Sequence, residues 1–203
     1  MSDIKTVIFY GRSGSGKGTQ AVLLKKFLEE HGDRNEVLYY ETGQSLRKLA
    51  EEDSVAGKLT KSVLDSGGLM PTMLVVWQWG DYFMHEVKTD KHLILDGVAR
   101  RAMEAPLVEG ALEFFERKDP TVILIDTPRE WSMEKLLERG RADDTKDNIN
   151  KRLDWYDENV IPAIDYFKNS DTFKVLNIKG DQPIVDVHND VLEALDLMHQ
   201  EED

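Results

Sequence analysis

The segment Gly11-Arg-Ser-Gly-Ser-Gly-Lys-Gly-Thr19 constrains this chain more than any other stretch. Four glycines fall within eight residues, directly after the β-branched and aromatic run Thr6-Val-Ile-Phe-Tyr10 and just before an amphipathic stretch, Ala21 to Glu30. Glycines this dense weaken packing unless a ligand requires them. At a strand-to-helix junction they let successive backbone N–H groups turn inward around phosphate oxygens. The helix N-terminus adds its partial positive charge there, and Lys17 reaches the β and γ phosphates. Strand, phosphate cradle and helix thus form one unit.

The rest of the chain repeats the alternation of short apolar runs with longer amphipathic ones that marks βα units on a parallel sheet. Five strands are expected, at Thr6–Tyr10, Glu36–Tyr40, His92–Leu95, Thr121–Ile125 and Phe173–Ile178, most of them apolar enough to be buried on both faces. In the first helix Val22, Leu23, Leu24, Phe27 and Leu28 are expected on one side with Lys25, Lys26, Glu29 and Glu30 on the other, stopped by His31-Gly32. Two stretches interrupt the alternation. Glu41 to Lys91, about fifty residues, is too long for one crossover helix and reads as a small helical insertion that binds substrate. Arg139 to Asn148 is polar and charged between helical segments and reads as a mobile flap. Met70, Met73, Trp77 and Trp79 are expected to pack in the core or at a domain contact. The acidic end Gln200–Asp203 reads as a frayed helix terminus.

A length of 203 residues suits one domain with small insertions. With 26 Lys and Arg against 39 Asp and Glu the net charge is -13, which disfavours duplex nucleic acid and anionic lipid as partners. A polyanionic ligand must then be met by a local basic cluster. No cysteine is present, which excludes disulfides and Cys-ligated zinc, and the five histidines show no ligand spacing. No apolar run approaches the ~18 residues needed to cross a bilayer, and the start lacks the apolar core of a signal peptide. The cytoplasm is the expected compartment, with no membrane partner.

The residue after Lys17 is Gly18, with Thr19 one place later, whereas most ATPases and GTPases of this loop type put the magnesium-binding hydroxyl directly after the lysine. A GTPase switch is therefore disfavoured. The Gly16-Lys-Gly-Thr-Gln20 form resembles the nucleoside monophosphate kinases, the adenylate kinase family in particular. The resemblance continues in order along the chain. Thr42-Gly-Gln-Ser-Leu-Arg47 is similar to the family's T-G-D-L-L-R, Gly68-Leu-Met-Pro71 to its G-x-L-V-P, and Leu95-Asp-Gly-Val-Ala-Arg100 to its L-D-G-F-P-R. Arg139-Gly-Arg141 with Asp144 and Lys151-Arg-Leu153 resembles its lid.

The resemblance implies a P-loop three-layer α/β sandwich with a five-stranded parallel sheet, a helical arm for the nucleoside monophosphate at about residues 41–72 and a minimal lid at about 139–148, in a single domain spanning 1–203. It implies transfer of the γ-phosphoryl of ATP to AMP by a monomer using magnesium and no zinc. Gly14, Ser15, Gly16, Lys17, Gly18, Thr19, Lys135 and Arg139 would bind ATP. Thr42, Gly43, Arg47, Met70, Gly97, Arg100, Glu104, Arg141 and Arg152 would bind AMP. Lys17, Arg100, Arg139, Arg141 and Arg152 would surround the phosphoryl group in flight, Asp96 would hold magnesium through water, and Asp143 and Asp144 would orient the flap arginines. Guanidinium suits such a site because its planar fork bonds two oxygens at once. Arg12, Arg101 and Arg129 fall outside the motifs and read as surface ion-pair formers.

Some positions depart from the family pattern. Gln44 stands for an acidic residue that organises magnesium-bound water, Val98-Ala99 for Phe-Pro, and Lys135 for an arginine that stacks on the ATP base. The flap is about three residues shorter than the short-lid form, which puts one of Arg139 and Arg141 out of reach of phosphate. Glu104 stands for a glutamine that accepts from adenine N6 and donates to N1. A carboxylate only accepts, so alone it favours GMP, unless the loop carrying Val98-Ala99 turns it to solvent. The alternatives are a kinase for GMP, UMP or CMP, and a nucleotide-binding regulator without turnover.

Overall fold

The computed structural model describes residues 4–31, 36–141 and 144–198. Gly32, Asp143 and the 200–203 end, each given a part in the sequence reading, lie outside the described residues. Five parallel strands, β1 (Thr6–Tyr10), β2 (Val37–Glu41), β3 (His92–Asp96), β4 (Thr121–Asp126) and β5 (Lys174–Lys179), form one sheet in the order β2-β3-β1-β4-β5. All five expected strands are present, with ends displaced by a residue at most. In β1 the period of two is plain: Val7 and Phe9 face one helical layer, Ile8 and Tyr10 the other, all 1% exposed or less. β5 is half-exposed because it is an edge strand; Ile178 is its one buried residue.

One layer is α1 (Lys17–His31) with α9 (Ile184–Ala194), whose Ala21, Leu24, Leu28, Val187 and Val191 cover Val7, Phe9, Ile94 and Ile123. Helix α1 begins at Lys17, inside the glycine-rich loop, so its first N–H groups border that loop. The expected apolar face needs one correction. Val22 is 53% exposed, since the face that meets the sheet follows Ala21, Leu24 and Leu28.

Across the sheet lie α4 (Thr72–Glu86), α5 (Ala105–Phe114), α8 (Ile161–Lys168) and the large aromatic cluster around Tyr10, Trp79, Phe83 and Phe167. The stretch from 41 to 91 is therefore not one insertion. Helix α4 packs on the sheet through Val75, Trp79 and Phe83, whereas α2 (Thr42–Ala50) and α3 (Val55–Asp65) pack on each other beside it. Met70 and Trp79 are buried as expected. Met73 and Trp77, at 75% and 57% exposure, are not, because they sit on the helix side opposite Val75 and Trp79.

Helices α6 (Arg129–Arg139) and α7 (Lys146–Trp155) follow β4, and a π-helical turn, Tyr156–Val160, joins α7 to α8. Gly140, at φ 64°, ends α6 in the left-handed region that glycine adopts without strain. Among the described residues no helix is long and apolar enough to cross a membrane.

Candidate active site

The carboxyl ends of β1, β2 and β3 and the two helical excursions enclose a cleft of about 1360 Å³. In open α/β sheets ligands bind at the carboxyl ends of the strands, beside the strand where the order reverses. Here that strand is β1, between β3 and β4, and the glycine loop leaves its end. All the candidate site residues line this one cleft: those of the loop, Thr42, Gly43, Arg47 and Met70 from the helical insertion, Asp96, Gly97, Arg100 and Glu104 after β3, and Lys135, Arg139, Arg141 and Arg152 from α6, the flap and α7.

Backbone shape fixes the loop. Gly14 has φ 85°, and a Cβ there would lie 2.5 Å from the carbonyl oxygen of Ser132 on α6, so no larger residue fits. Gly18 brings the start of α1 against β3: a Cβ on it would sit 3.1 Å from Asp96 Oδ2. Gly97, at φ 72°, lets Arg100 fold back, its Nε donating to the Gly97 carbonyl at 3.0 Å.

Lys17 stands among opposed charges. Burial lowers its pKa, Asp96 and Glu41 act to raise it, and Arg100 and Arg139 lower it further. Asp96 is 4% exposed; burial raises its carboxyl pKa against the pull of Lys17 and Arg100. Its Oδ1 has no hydrogen-bond partner among the described residues. A buried, unpartnered carboxylate oxygen at a phosphate cradle fits a magnesium ion that keeps most of its waters, with Thr19 exposed at the same cleft. No group of three His, Cys, Asp or Glu side chains suited to a metal occurs among the described residues, so phosphate and water would supply the remaining ligands.

Gln44, where an acid was expected, is exposed and does not line the cleft. Glu41 does line it. It pairs in register with Asp96 at the strand ends and accepts from Arg47 Nη2 at 2.9 Å. A second carboxylate thus stands beside Asp96 from another position.

The flap arginines are tied to one acid. Asp144, its carboxylate fully covered, accepts from Arg139 Nε and Nη2 at 2.9 and 2.8 Å, from Arg152 Nη2 at 2.6 Å and from the Arg141 backbone N–H at 3.1 Å. Burial acts to raise the Asp144 pKa, but the bonds from Arg139 and Arg152 outweigh it and bring it to about 2. Both Arg139 and Arg141 line the cleft, so the short flap does not turn either away from it. Asn148 Nδ2 at the start of α7 donates to the Asp65 carbonyl at 3.3 Å, which links the flap side of the cleft to the end of α3.

Glu104 is 1% exposed and lines the cleft, so the solvent-facing alternative is wrong. The short 3₁₀ turn Ala102–Glu104 holds it inward, capped by Arg101. Glu41, Trp131 and Trp155 are among the cleft-wall residues to which the sequence reading gave no role, and Arg101, read there as a surface ion-pair former, also lines the cleft. Trp131 had a signal, standing one helical turn before Lys135, whose ammonium lies 5.0 Å from its ring centre. Lys135 is otherwise held by Glu138 at 2.8 Å.

A parallel sheet with a glycine loop at its switch point, and arginines from several elements lining one cleft with that loop's lysine, defines a P-loop nucleotide-binding protein built for phosphoryl transfer. The model of the adenylate kinase family matches residues 9–172, and the chain belongs to that family. It is 33% identical to adenylate kinase 1 of Nostoc sp. PCC 7120 over 189 residues, 93% of this chain and 97% of the relative. Adenylate kinase 1 of Synechocystis sp. PCC 6803 is 32% identical over 91% of this chain and 93% of its own length. The adenylate kinase of Bacteroides thetaiotaomicron is 30% identical over 95% and 98%.

Proposed function

We propose that this protein transfers the γ-phosphoryl of ATP to AMP, giving two ADP. The observation that carries the reading is the convergence of Lys17, Arg100, Arg139 and Arg152 on one cleft beside the buried carboxylate Asp96. An AMP phosphate oxygen attacks the γ-phosphorus, the bond from that phosphorus to the β,γ-bridging oxygen breaks, and its electrons stay on the departing ADP. The attacking oxygen is already anionic at neutral pH. No general base is needed, which agrees with a site rich in cations and with no histidine among its described lining residues.

The chain's own groups hold and screen charge. The glycine loop and Lys17 cradle the β and γ phosphates, Arg139 and Arg152 approach the transferring group, and Arg47 and Arg100 clamp the AMP phosphate. Arg141, which lines the cleft, acts at the same phosphates. Helices α2 and α3 with the turn to residue 72 act as the arm for the monophosphate, and residues 139–148 as the lid. Asp96, with Thr19 nearby, would hold a magnesium ion carried with ATP, and the ion would supply further charge neutralisation there. The protein acts as a monomer in the cytoplasm.

A coupled assay with ATP against AMP, GMP, UMP and CMP tests this. AMP is expected to give the highest kcat/KM; turnover with none of the four would overturn the reading.

A further inference from the structure

Arg12 belongs to the glycine loop by sequence, yet its side chain does not face the cleft. Gly11 and Ser13 on either side of it line the cleft, and the Arg12 carbonyl accepts from the Ser15 N–H at 3.1 Å in the first turn of the loop. The side chain leaves on the other side and is 18% exposed, so it is not the surface ion-pair former that the sequence suggested. There the guanidinium joins three elements. Nη1 donates to the Thr127 carbonyl at 3.1 Å and lies 3.7 Å from Asp126 Oδ1, both at the carboxyl end of β4. Nη2 donates to Asp157 Oδ1 at 2.7 Å in the π-helical turn, and the guanidinium carbon lies 4.8 Å from the Tyr156 ring centre. Asp157 Oδ2 in turn stands 3.5 Å from Arg129 Nη1, and Arg129 Nη2 meets Asp154 Oδ1 at 2.7 Å. Charges of opposite sign thus alternate from β4 through the loop and the turn to α6 and α7.

Stability alone does not account for this arrangement. Arg12 Nε is buried with no hydrogen-bond partner among the described residues, and a partly buried ion pair returns little beyond the cost of stripping water from it. What it fixes is a distance. The π-helical turn follows α7 directly, and Arg152 and Tyr156, four residues apart, both line the cleft. Arg12 therefore ties the back of the phosphate loop to the helix that carries Arg152.

We propose that Arg12 and Asp157 are positioning residues for phosphoryl transfer: their ion pair sets the separation between the loop that holds the β and γ phosphates and Arg152 at the transferring group. This rests on the reading of the cleft as a phosphoryl-transfer site. Neither side chain lines the cleft, so both act through the elements they join. A cation that meets the group in flight must be held to a fraction of an ångström, and displacement by about 1 Å costs up to about 100-fold. Because the charge of Arg152 counts most in the transition state, loosening the link lowers kcat and leaves the KM for ATP near its original value.

The test measures kcat, the KM for ATP and the unfolding midpoint for Asp157→Asn, Arg12→Met and the double variant, each assayed well below its own midpoint. Asp157→Asn keeps the shape of a side chain outside the cleft, and should lower kcat by about 5-fold or more with ATP KM within about 3-fold of wild type. Arg12→Met should lose at least as much, and the double variant should match Arg12→Met within about 2-fold, because both changes break one link. Asp154→Asn breaks only the outer contact of Arg129 and should keep kcat within about 2-fold of wild type. Should Arg12→Met not fold, Arg12→Lys takes its place, since a single ammonium has no fork to span Thr127 and Asp157. A pair that served stability alone would lower the midpoint and leave kcat as it was. A loss below about 5-fold in Asp157→Asn, a loss that appears in ATP KM instead, an equal loss in Asp154→Asn, or single losses that multiply in the double variant overturns the proposal while turnover by wild type stands. A wild-type protein that transfers no phosphoryl group fails the broader reading instead.

Discussion

Replacing Asp144 with Asn removes the charge that holds three flap-side groups at once while keeping the shape of the side chain. The drop in its pKa from 3.8 to about 2 corresponds to about 2.4 kcal/mol, at 1.36 kcal/mol per tenfold change in proton affinity. Arg139 is one-third exposed and Arg152 one-fifth, so solvent screening brings the expected contribution to about 1–2 kcal/mol. The folded pKa lies below the unfolded one. The stabilisation is therefore complete above about pH 4 and is lost as pH falls through about 2. Urea unfolding of wild type and Asp144→Asn at pH 6 should differ by that amount, and the gap should narrow steadily from pH 4 towards pH 2. The freed arginines should also cost about 10–100-fold in kcat, because displacing a preorganised cation by about 1 Å is felt on that scale. Equal stabilities at pH 6 with unchanged kcat would refute the view that Asp144 positions Arg139 and Arg152.

Lys17→Met should lower kcat at least ~100-fold with the fold retained by circular dichroism, since the loop's shape is set by its glycines; retention of more than about a tenth of wild-type kcat in steady-state assays would contradict the cradle. Ala99 sits at φ 47°, so Ala99→Gly should stabilise by about 0.5–1 kcal/mol in denaturant unfolding. Ala99→Pro, although it restores a residue of the family pattern, should destabilise by about 2 kcal/mol or more, because proline cannot reach that φ and the Val98 and Ala99 carbonyls bonded by Tyr10 would shift. An analogue joining two adenosines through five phosphates should slow hydrogen exchange across residues 42–71 and 139–148 at saturation; no change in either segment would refute closure of arm and flap on ligand.

Much of this architecture was legible because it is local or periodic. The alternation of Val7, Ile8, Phe9 and Tyr10 reports a strand buried on both sides, and the spacing of the glycines reports a turn whose N–H groups face inward. Motif order brought Lys17, Arg47, Asp96, Arg100 and Arg152 to one cleft because each sits at a strand end or on a helix facing those ends. Less legible was anything decided by pairing across elements. Glu41 takes a place beside Asp96 through sheet register, which no single segment encodes. Arg101 resembles a surface arginine until Glu104 is seen to be buried against it. The exposure of Met73 and Trp77 was missed because a helix rich in large apolar residues does not announce which side meets the sheet; Trp79 and Phe83 take it.

The central claim is direct phosphoryl transfer between two bound nucleotides, and ³¹P NMR of the purified protein with ATP, AMP and magnesium tests it most directly. The account predicts that AMP and ATP signals fall together while ADP rises by two for each AMP consumed, with no inorganic phosphate, and that Lys17→Met abolishes the exchange. Release of inorganic phosphate with AMP unchanged would contradict it.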